Sequence, residues 1–289
     1  VSVAEPENTP TGGATRADWL LLAVLGVVVL LTPDVGLGPY QAINPQSIAR
    51  IVLVVLGIGA AGYYAQRALG QRHGLLVAGF VAGFVSSSAT IASMGLRAKA
   101  DPSARNAAVA GGLASSVATV VFYSVIIAAV DKALVVRLAL PLGLASLTAL
   151  ATTFTFARAR AAVQLDVPKG RAFQWLPALL IGLASMALAV VGAALSEKLG
   201  GASMVVVSAV AGLVDAHATS ASVATLHHNG RLDSESAMLA VVVALSVNTV
   251  TKIVMASLSR DRGYALRLSA GVIAIALAAW LGLGIAIWW

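Results

Sequence analysis

Apolar residues run through this chain in long, unbroken blocks. They do not form the narrow i, i+3, i+4 stripe of a helix that turns one face to water. The blocks lie at roughly 17–33, 48–67, 74–97, 106–130, 133–157, 173–196, 202–226, 236–258 and 264–288. About 20 mainly apolar residues in helical form match the hydrocarbon thickness of a bilayer. The gaps collect the charges and helix breakers, among them Pro33-Asp34, Asn44-Pro45, Asp131-Lys132, Glu197-Lys198 and Arg260 to Arg262. The pattern predicts an all-α polytopic membrane protein. Residues 1–16 read as a disordered polar tail without the basic-then-apolar layout of a secretory leader. Residues 17–47 read as an extra N-terminal transmembrane helix and loop, and 158–172 as a basic linker near the middle of the chain.

The linker separates two stretches that repeat. Residues 81–94 read VAGFVSSSATIASM and residues 210–223 read VAGLVDAHATSASV, identical at eight of 14 positions without a gap. Chance would give about one or two matches in a chain this rich in alanine, so an internal duplication is expected. Repeat 1 covers 48–157 and repeat 2 covers 173–289. Each has one helix before the motif and two after it.

Composition removes the soluble alternatives. Hydrophobic residues make up 59% of the 289 and charged residues 11%, against about 25% charged in a soluble domain. Such a chain cannot cover itself with polar surface, so lipid is its solvent. With no cysteine, disulfides, thiolate metal sites and thiol catalysis are excluded. The net charge of +7 comes from residues in the gaps, where orientation signals lie, and gives no reason to expect nucleic acid.

Those basic residues bear on topology. If all nine blocks span, the 18 loop Lys and Arg residues divide nine and nine between the two sides. If 74–97 and 202–226 are re-entrant hairpins, the division becomes 13 to five. A positive-inside bias favours the second arrangement. It makes the repeats inverted and places the amino terminus in the cytoplasm. A spanning helix broken at its centre is the competing arrangement.

The repeated motif places polar groups in the middle of apolar runs: Ser86, Ser87, Ser88 and Thr90 in one copy, Asp215, His217, Thr219 and Ser222 in the other. Hydroxyls compete for backbone groups, and Gly83 and Gly212 allow close backbone approach. Unwound carbonyls and hydroxyls there could coordinate a cation, and freed amides could receive an anion. The plainer reading is helix packing by small residues and hydroxyls. Asp215 is the only acidic residue deep in an apolar block, so it must be paired, protonated, hydrated or ion-bound. Lys252 is the lone basic counterpart, and a Lys252–Asp215 pair is one expectation; snorkelling to the interface is the other. Asn248 and Thr249 lie about one turn earlier. Asp215 and His217 are candidate metal ligands, and a carboxylate with an imidazole suits a transition metal better than magnesium. His227 and His228 read as interfacial polar residues. No P-loop, HExxH motif or nucleophile elbow is present, so no enzyme and no resident cofactor is expected.

The chain resembles the domain of unknown function 4010, a prokaryotic membrane domain often fused behind an MgtC/SapB region. The resemblance is carried by Pro33-Asp34, Asn44-Pro45, Gly62-Tyr63, Leu69-Gly70 and Gly74-Leu75-Leu76. It continues through GFVSSSAT (83–90), GLVDAHAT (212–219) and SVNTVTK (246–252). This sequence departs where the family often has a further acid, here Leu213, and where it has a hydrophobic residue, here His217. It also lacks the arginine often found between Ala107 and Val130. The resemblance implies a prokaryotic cytoplasmic (inner) membrane location and supports architecture more than substrate.

The expected function is a secondary transporter or ion-translocating membrane protein, with a divalent metal cation as leading substrate. A small organic or inorganic anion is the rival substrate. A non-transporting regulatory or partner-binding membrane module is the rival class. The expected partners are the lipid bilayer, a small ion or solute and a second copy of the chain.

Overall fold

The computed structural model describes residues 14–69, 74–157, 172–200 and 202–288. The expected tail at 1–16 and linker at 158–172 lie almost wholly outside the described residues. The described residues form eleven helices: α1 (Arg16–Leu31), α2 (Pro45–Leu69), α3 (Leu75–Ala100), α4 (Arg105–Val130), α5 (Lys132–Arg137), α6 (Ala139–Ala157), α7 (Trp175–Leu199), α8 (Ala202–Val214), α9 (Ala216–His228), α10 (Ser234–Leu258) and α11 (Arg262–Trp288). They contain no strand, only an isolated bridge between Leu37 and Ile43. The protein is an all-α polytopic membrane protein.

Seven helices are long and apolar enough to cross a bilayer: α2, α3, α4, α6, α7, α10 and α11. The expected N-terminal transmembrane helix forms as α1, but at 16 residues it falls short of that length. Its buried Asp18 accepts a hydrogen bond from the indole Nε1 of Trp175 at 3.1 Å, which ties α1 to the start of α7. The single block expected at 202–226 is two 13-residue helices, α8 and α9, each too short to cross alone.

α4 is the central helix. Its apolar window is 72% buried, against 28–44% for the other six spans. Its sequence explains why: Ala, Gly and Ser make up eight of the ten residues from Ala107 to Ser116. Lipid offers no hydrophobic drive between helices, so close backbone approach through small residues does the packing. A Cβ placed on Gly83 would sit 2.6 Å from the Cα of Ser115, and one on Gly79 would collide with the backbone of Gly111.

α3 does not run straight. Ser86 adopts extended backbone (φ −163°, ψ 104°) inside it. A Cβ on Gly111 would meet the Leu75 carbonyl at 2.5 Å and the Met94 sulfur at 3.1 Å. Nineteen residues of straight helix would put Leu75 and Met94 about 28 Å apart. The two halves of α3 therefore fold back on each other beside α4. α8 and α9 do the same: Met204 and Leu226 both meet the position of Gly192 on α7, although a straight helix would separate them by about 33 Å. The close approach of Gly83 to Ser115 recurs 129 residues later as Gly212 against Ala244.

Polar clamps close the ends. Arg105 donates from Nε (3.2 Å) and Nη2 (2.9 Å) to Asp261, which also caps Tyr264 N at 2.7 Å. The Arg105 hydrogen bonds hold the Asp261 carboxyl below its usual range. Elsewhere, His228 Nε2 lies 2.8 Å and Asn44 Nδ2 2.9 Å from Asp34, with Arg50 at 3.2 Å. Burial alone would raise the Asp34 carboxyl. The hydrogen bonds from Asn44 and His228 and the charges of His228 and Arg50 outweigh it and lower it.

Candidate functional site

The two repeated motifs break their helices at matching positions, 86 and 215. Asp215 is extended (φ −150°, ψ 103°) and caps α9: its Oδ1 accepts from the amides of His217 (2.8 Å) and Ala218 (3.1 Å). Ser86 plays the same part in α3, its Oγ accepting from the Ala89 amide at 3.3 Å. Aspartate and serine are strong helix N-caps, so each break follows from local chemistry. Four residues after each, a threonine closes the turn. Thr90 Oγ1 donates to the Ser86 carbonyl and Thr219 Oγ1 to the Asp215 carbonyl, both at 2.7 Å.

The caps free acceptors. In an unbroken helix the amides of His217 and Ala218 would bond to the carbonyls of Leu213 and Val214. The Asp215 carboxylate takes those amides and releases the two carbonyls from the ladder. In the first copy, the Ser86 hydroxyl takes the Ala89 amide from the Val85 carbonyl by the same arithmetic.

Both breaks open onto one cavity of about 250 Å³. Ser86, Ser87, Ser88, Asp215, His217 and Asn248 line it, with Val85, Leu213 and Val214. Val214 is 90% exposed, so the cavity is open on that flank. Asp215 keeps a third of its side chain accessible. Among the described residues no Lys or Arg lines the cavity. His217 Nδ1 lies 3.5 Å from Asp215 Oδ1, its ring packs on Phe122 and Tyr123 with centroids 4.5 and 5.4 Å away, and its buried Nε2 has no hydrogen-bond partner among the described residues.

The other expected site residues lie elsewhere. Thr90 and Thr219 are buried turn closers. Ser222 Oγ donates to the Thr219 carbonyl and Thr249 Oγ1 to the Leu245 carbonyl, so both are spent on backbone. The expected Lys252–Asp215 pair does not form. Lys252 is buried and donates to Ser116 Oγ (3.2 Å) and Thr119 Oγ1 (3.1 Å) on α4. The snorkelling alternative also fails, since the side chain is only 3% exposed. The reason is rotational: its helix turns Asn248 and Thr251 to the cavity and Lys252 toward α4. Among the described residues no third His, Asp or Glu joins Asp215 and His217 as a metal-binding group, so any further ligands would be hydroxyls and carbonyls.

Several residues escape the sequence reading. Phe122, Gln174 and Thr251 line the cavity, yet nothing in an apolar helix marks the face they occupy. His227 is not a loose interfacial residue. Its Nδ1 lies 2.5 Å from Asp131 Oδ2 and its Nε2 2.9 Å from Ser234 Oγ. A carboxylate only accepts, so Nδ1 donates to Asp131, and Nε2 shares a hydrogen bond with the Ser234 hydroxyl. The charged gaps at Asp34 and Asp131 were the one available signal that the two histidines would find acidic partners.

The family model described as domain of unknown function (DUF4010) matches residues 53–259. No curated protein and no solved structure matches the chain.

Proposed function

Because the chain belongs to the DUF4010 family, whose name assigns no activity, we propose its role from the site itself: a secondary transporter or ion-translocating protein for a small cation, with a divalent metal as leading substrate. One observation carries this reading. The cavity between the two helix breaks offers a carboxylate, an imidazole, three serine hydroxyls and an asparagine, and among the described residues neither Lys nor Arg lines it. The released carbonyls of Val85, Leu213 and Val214 add oxygen acceptors. An anion entering there would meet Asp215 with no compensating cation. The mixture of carboxylate, imidazole and neutral oxygen suits a transition metal such as Mn²⁺ or Zn²⁺.

The folded-back segments support the transport reading. A segment that reverses at Ser86 or Asp215 re-enters the face it left, so each half then crosses three times: α2, α4 and α6 in one, α7, α10 and α11 in the other. An odd number of crossings inverts one half relative to the other, a common plan for secondary transporters. With α1 running between the start of α7 (Asp18 to Trp175) and the start of α2 (Val29 and Thr32 to Gln46) and so carrying the chain across once more, the 13-to-five charge division supports an amino terminus in the cytoplasm of a prokaryotic cell, with the protein in its inner membrane.

The test is flux into proteoliposomes across a panel of Mn²⁺, Zn²⁺, Co²⁺ and Mg²⁺. Wild type is expected to carry at least one transition metal, and Asp215→Asn to lose that flux. Metal flux that survives Asp215→Asn unchanged removes the central role of the cavity. Absence of all metal flux, together with tolerance of polar-to-alanine changes in both motifs, returns the protein to the class of regulatory modules. Anion flux that depends on Lys252 favours the anion reading instead.

A further inference from the structure

Lys252 is a charged residue whose role the cavity does not explain. Its side chain is 3% exposed, within the span of α10. Both of its hydrogen-bond acceptors, Ser116 Oγ and Thr119 Oγ1, are neutral hydroxyls, and no ion pair reaches it among the described residues. Packing alone does not call for an ammonium there, because Leu or Met would fill the space without the cost of burying a charge.

Its position is more informative. Asn248, one turn earlier on α10, and its neighbour Thr251 both line the cavity. On α4, Ser116 and Thr119 flank the turn that begins at Ser115. Ser115 Oγ lies 3.0 Å from the Oγ of Ser87, which also lines the cavity. The ammonium therefore bridges α10 of the second half to the turn of α4 in the first half whose Ser115 meets the Ser87 wall of the cavity.

We propose that Lys252 is the proton-exchanging residue of the cycle, so that the protein works as a cation–proton antiporter. This rests on the cation reading of the cavity. A divalent ion entering beside Asp215 adds two positive charges close to the ammonium, in an interior that screens them poorly. The ammonium N–H bond breaks as a water molecule entering from the cavity accepts the proton, forming an O–H bond and carrying it to bulk as H₃O⁺. The nitrogen keeps the electron pair and becomes a neutral amine, which accepts a hydrogen bond from the Ser116 hydroxyl where it previously donated, while the Thr119 hydroxyl stays on the Ser115 carbonyl. The tether between α4 and α10 loses its charge when the cation arrives and regains it when the cation departs. That alternation is what obligatory exchange requires.

Other titratable groups share the interior with Lys252. Asp215 and His217 sit at the cavity, Tyr123 on α4 packs against His217, and Tyr264 on α11 donates to the Ile91 carbonyl. The remaining charges on helices packed against α10 lie at helix ends, as at Arg97, Asp131 and Asp261. Protons released from Asp215 or His217 on metal binding are the main competitor, so the test must separate them from those of Lys252.

The experiment measures protons released per Mn²⁺ bound, using the full chain in mild detergent, a weakly buffered pH-indicator solution at pH 7, and a parallel calorimetric titration. Wild type is expected to release about one proton per Mn²⁺. Lys252→Met is expected to bind Mn²⁺ and release close to none. Lys252→Arg keeps a cation that does not give up its proton. It is expected to release none and to bind Mn²⁺ at least tenfold more weakly, which covers the case in which the methionine variant fails to fold. Proton release by Lys252→Met equal to wild type assigns the proton to the cavity and overturns the proposal while leaving the cation site intact. Binding by wild type without proton release also overturns the proposal alone. A wild type that binds no Mn²⁺ overturns both this proposal and the cation reading.

Discussion

Gly83 and Gly212 hold matching positions in the two folded-back segments, yet replacing each with alanine should have different consequences. A methyl on Gly83 would lie 2.6 Å from Ser115 Cα, 2.8 Å from its Cβ and 2.9 Å from its carbonyl oxygen. Ordinary carbon contacts fall at about 3.5–4.0 Å, so α3 and α4 must part by roughly 1 Å. The obstruction is mostly backbone and cannot rotate away. A methyl on Gly212 would lie 3.2 Å from Ala244 Cα and 3.3 Å from its oxygen, a conflict of only a few tenths of an ångström. Against both stands the gain of about 1 kcal/mol for alanine over glycine in a helix. Overpacking costs about 1–3 kcal/mol. Because α4 is the most buried helix, Gly83→Ala should sit at the costly end, a net loss of about 2 kcal/mol. Gly212→Ala should stay within about 0.5 kcal/mol of neutral. At about 2–4 °C per kcal/mol for a chain of this size, the first lowers Tm by roughly 4–8 °C and the second moves it by less than about 2 °C. The chain has five tryptophans and no cysteine, so intrinsic fluorescence in detergent is the suitable probe. Gly83→Ala should also weaken metal binding, since it displaces the wall that carries Ser87 onto Ser115. A Gly212→Ala variant as damaged as Gly83→Ala, or a neutral Gly83→Ala, would refute the close-approach argument.

Three further outcomes follow from the geometry. Asp215→Asn keeps a good N-cap and should change Tm little, whereas Asp215→Ala leaves the amides of His217 and Ala218 without their acceptor and should cost about 1–2 kcal/mol; equal thermal stability of the two variants would deny the capping role. The depressed Asp261 carboxyl contributes stability that is complete above its unfolded value of 3.8 and is lost as pH falls through the lower folded value. Asp261→Asn should therefore flatten the acid limb of a Tm–pH profile below about pH 4, by an amount worth about 1 kcal/mol given the partial exposure of Arg105. His227→Gln and Asp131→Asn should each lower Tm, with a double variant less destabilised than the sum of the two; simple additivity in that cycle would mean that the contact carries no coupling.

Much of this protein was legible before its structure. The apolar blocks located the long helices to within a few residues, and the charged gaps located their ends. The motifs that hold the breaks are legible as polar interruptions of apolar runs, beside a helix-packing reading; that Ser86 and Asp215 cap their own backbone amides is seen only in the structure. The apolar block at 202–226 looks continuous in sequence and folds as two helices, divided at Asp215, the one acidic residue deep within it. Of the expected site residues, Ser86, Ser87, Ser88, Asp215, His217 and Asn248 meet at the cavity. Thr90, Thr219, Ser222 and Thr249 had the right chemistry but turn inward to carbonyls of their own helices.

The sequence by itself determined the membrane class, the order of the long helices and the two polar motifs that interrupt them. These follow from hydrophobicity summed along the chain and from polar side chains set within apolar runs. Only the tertiary structure decided which way each helix faces. A helix that is apolar on every side carries no stripe to mark its buried face, and lipid does not distinguish one apolar face from another. Rotation is set instead by where small residues let backbones meet, as Gly83 meets Ser115. That packing turned Asn248 toward Asp215 and Lys252 away from it, brought His227 to Asp131 across nearly a hundred residues, and left one carboxylate facing the cavity.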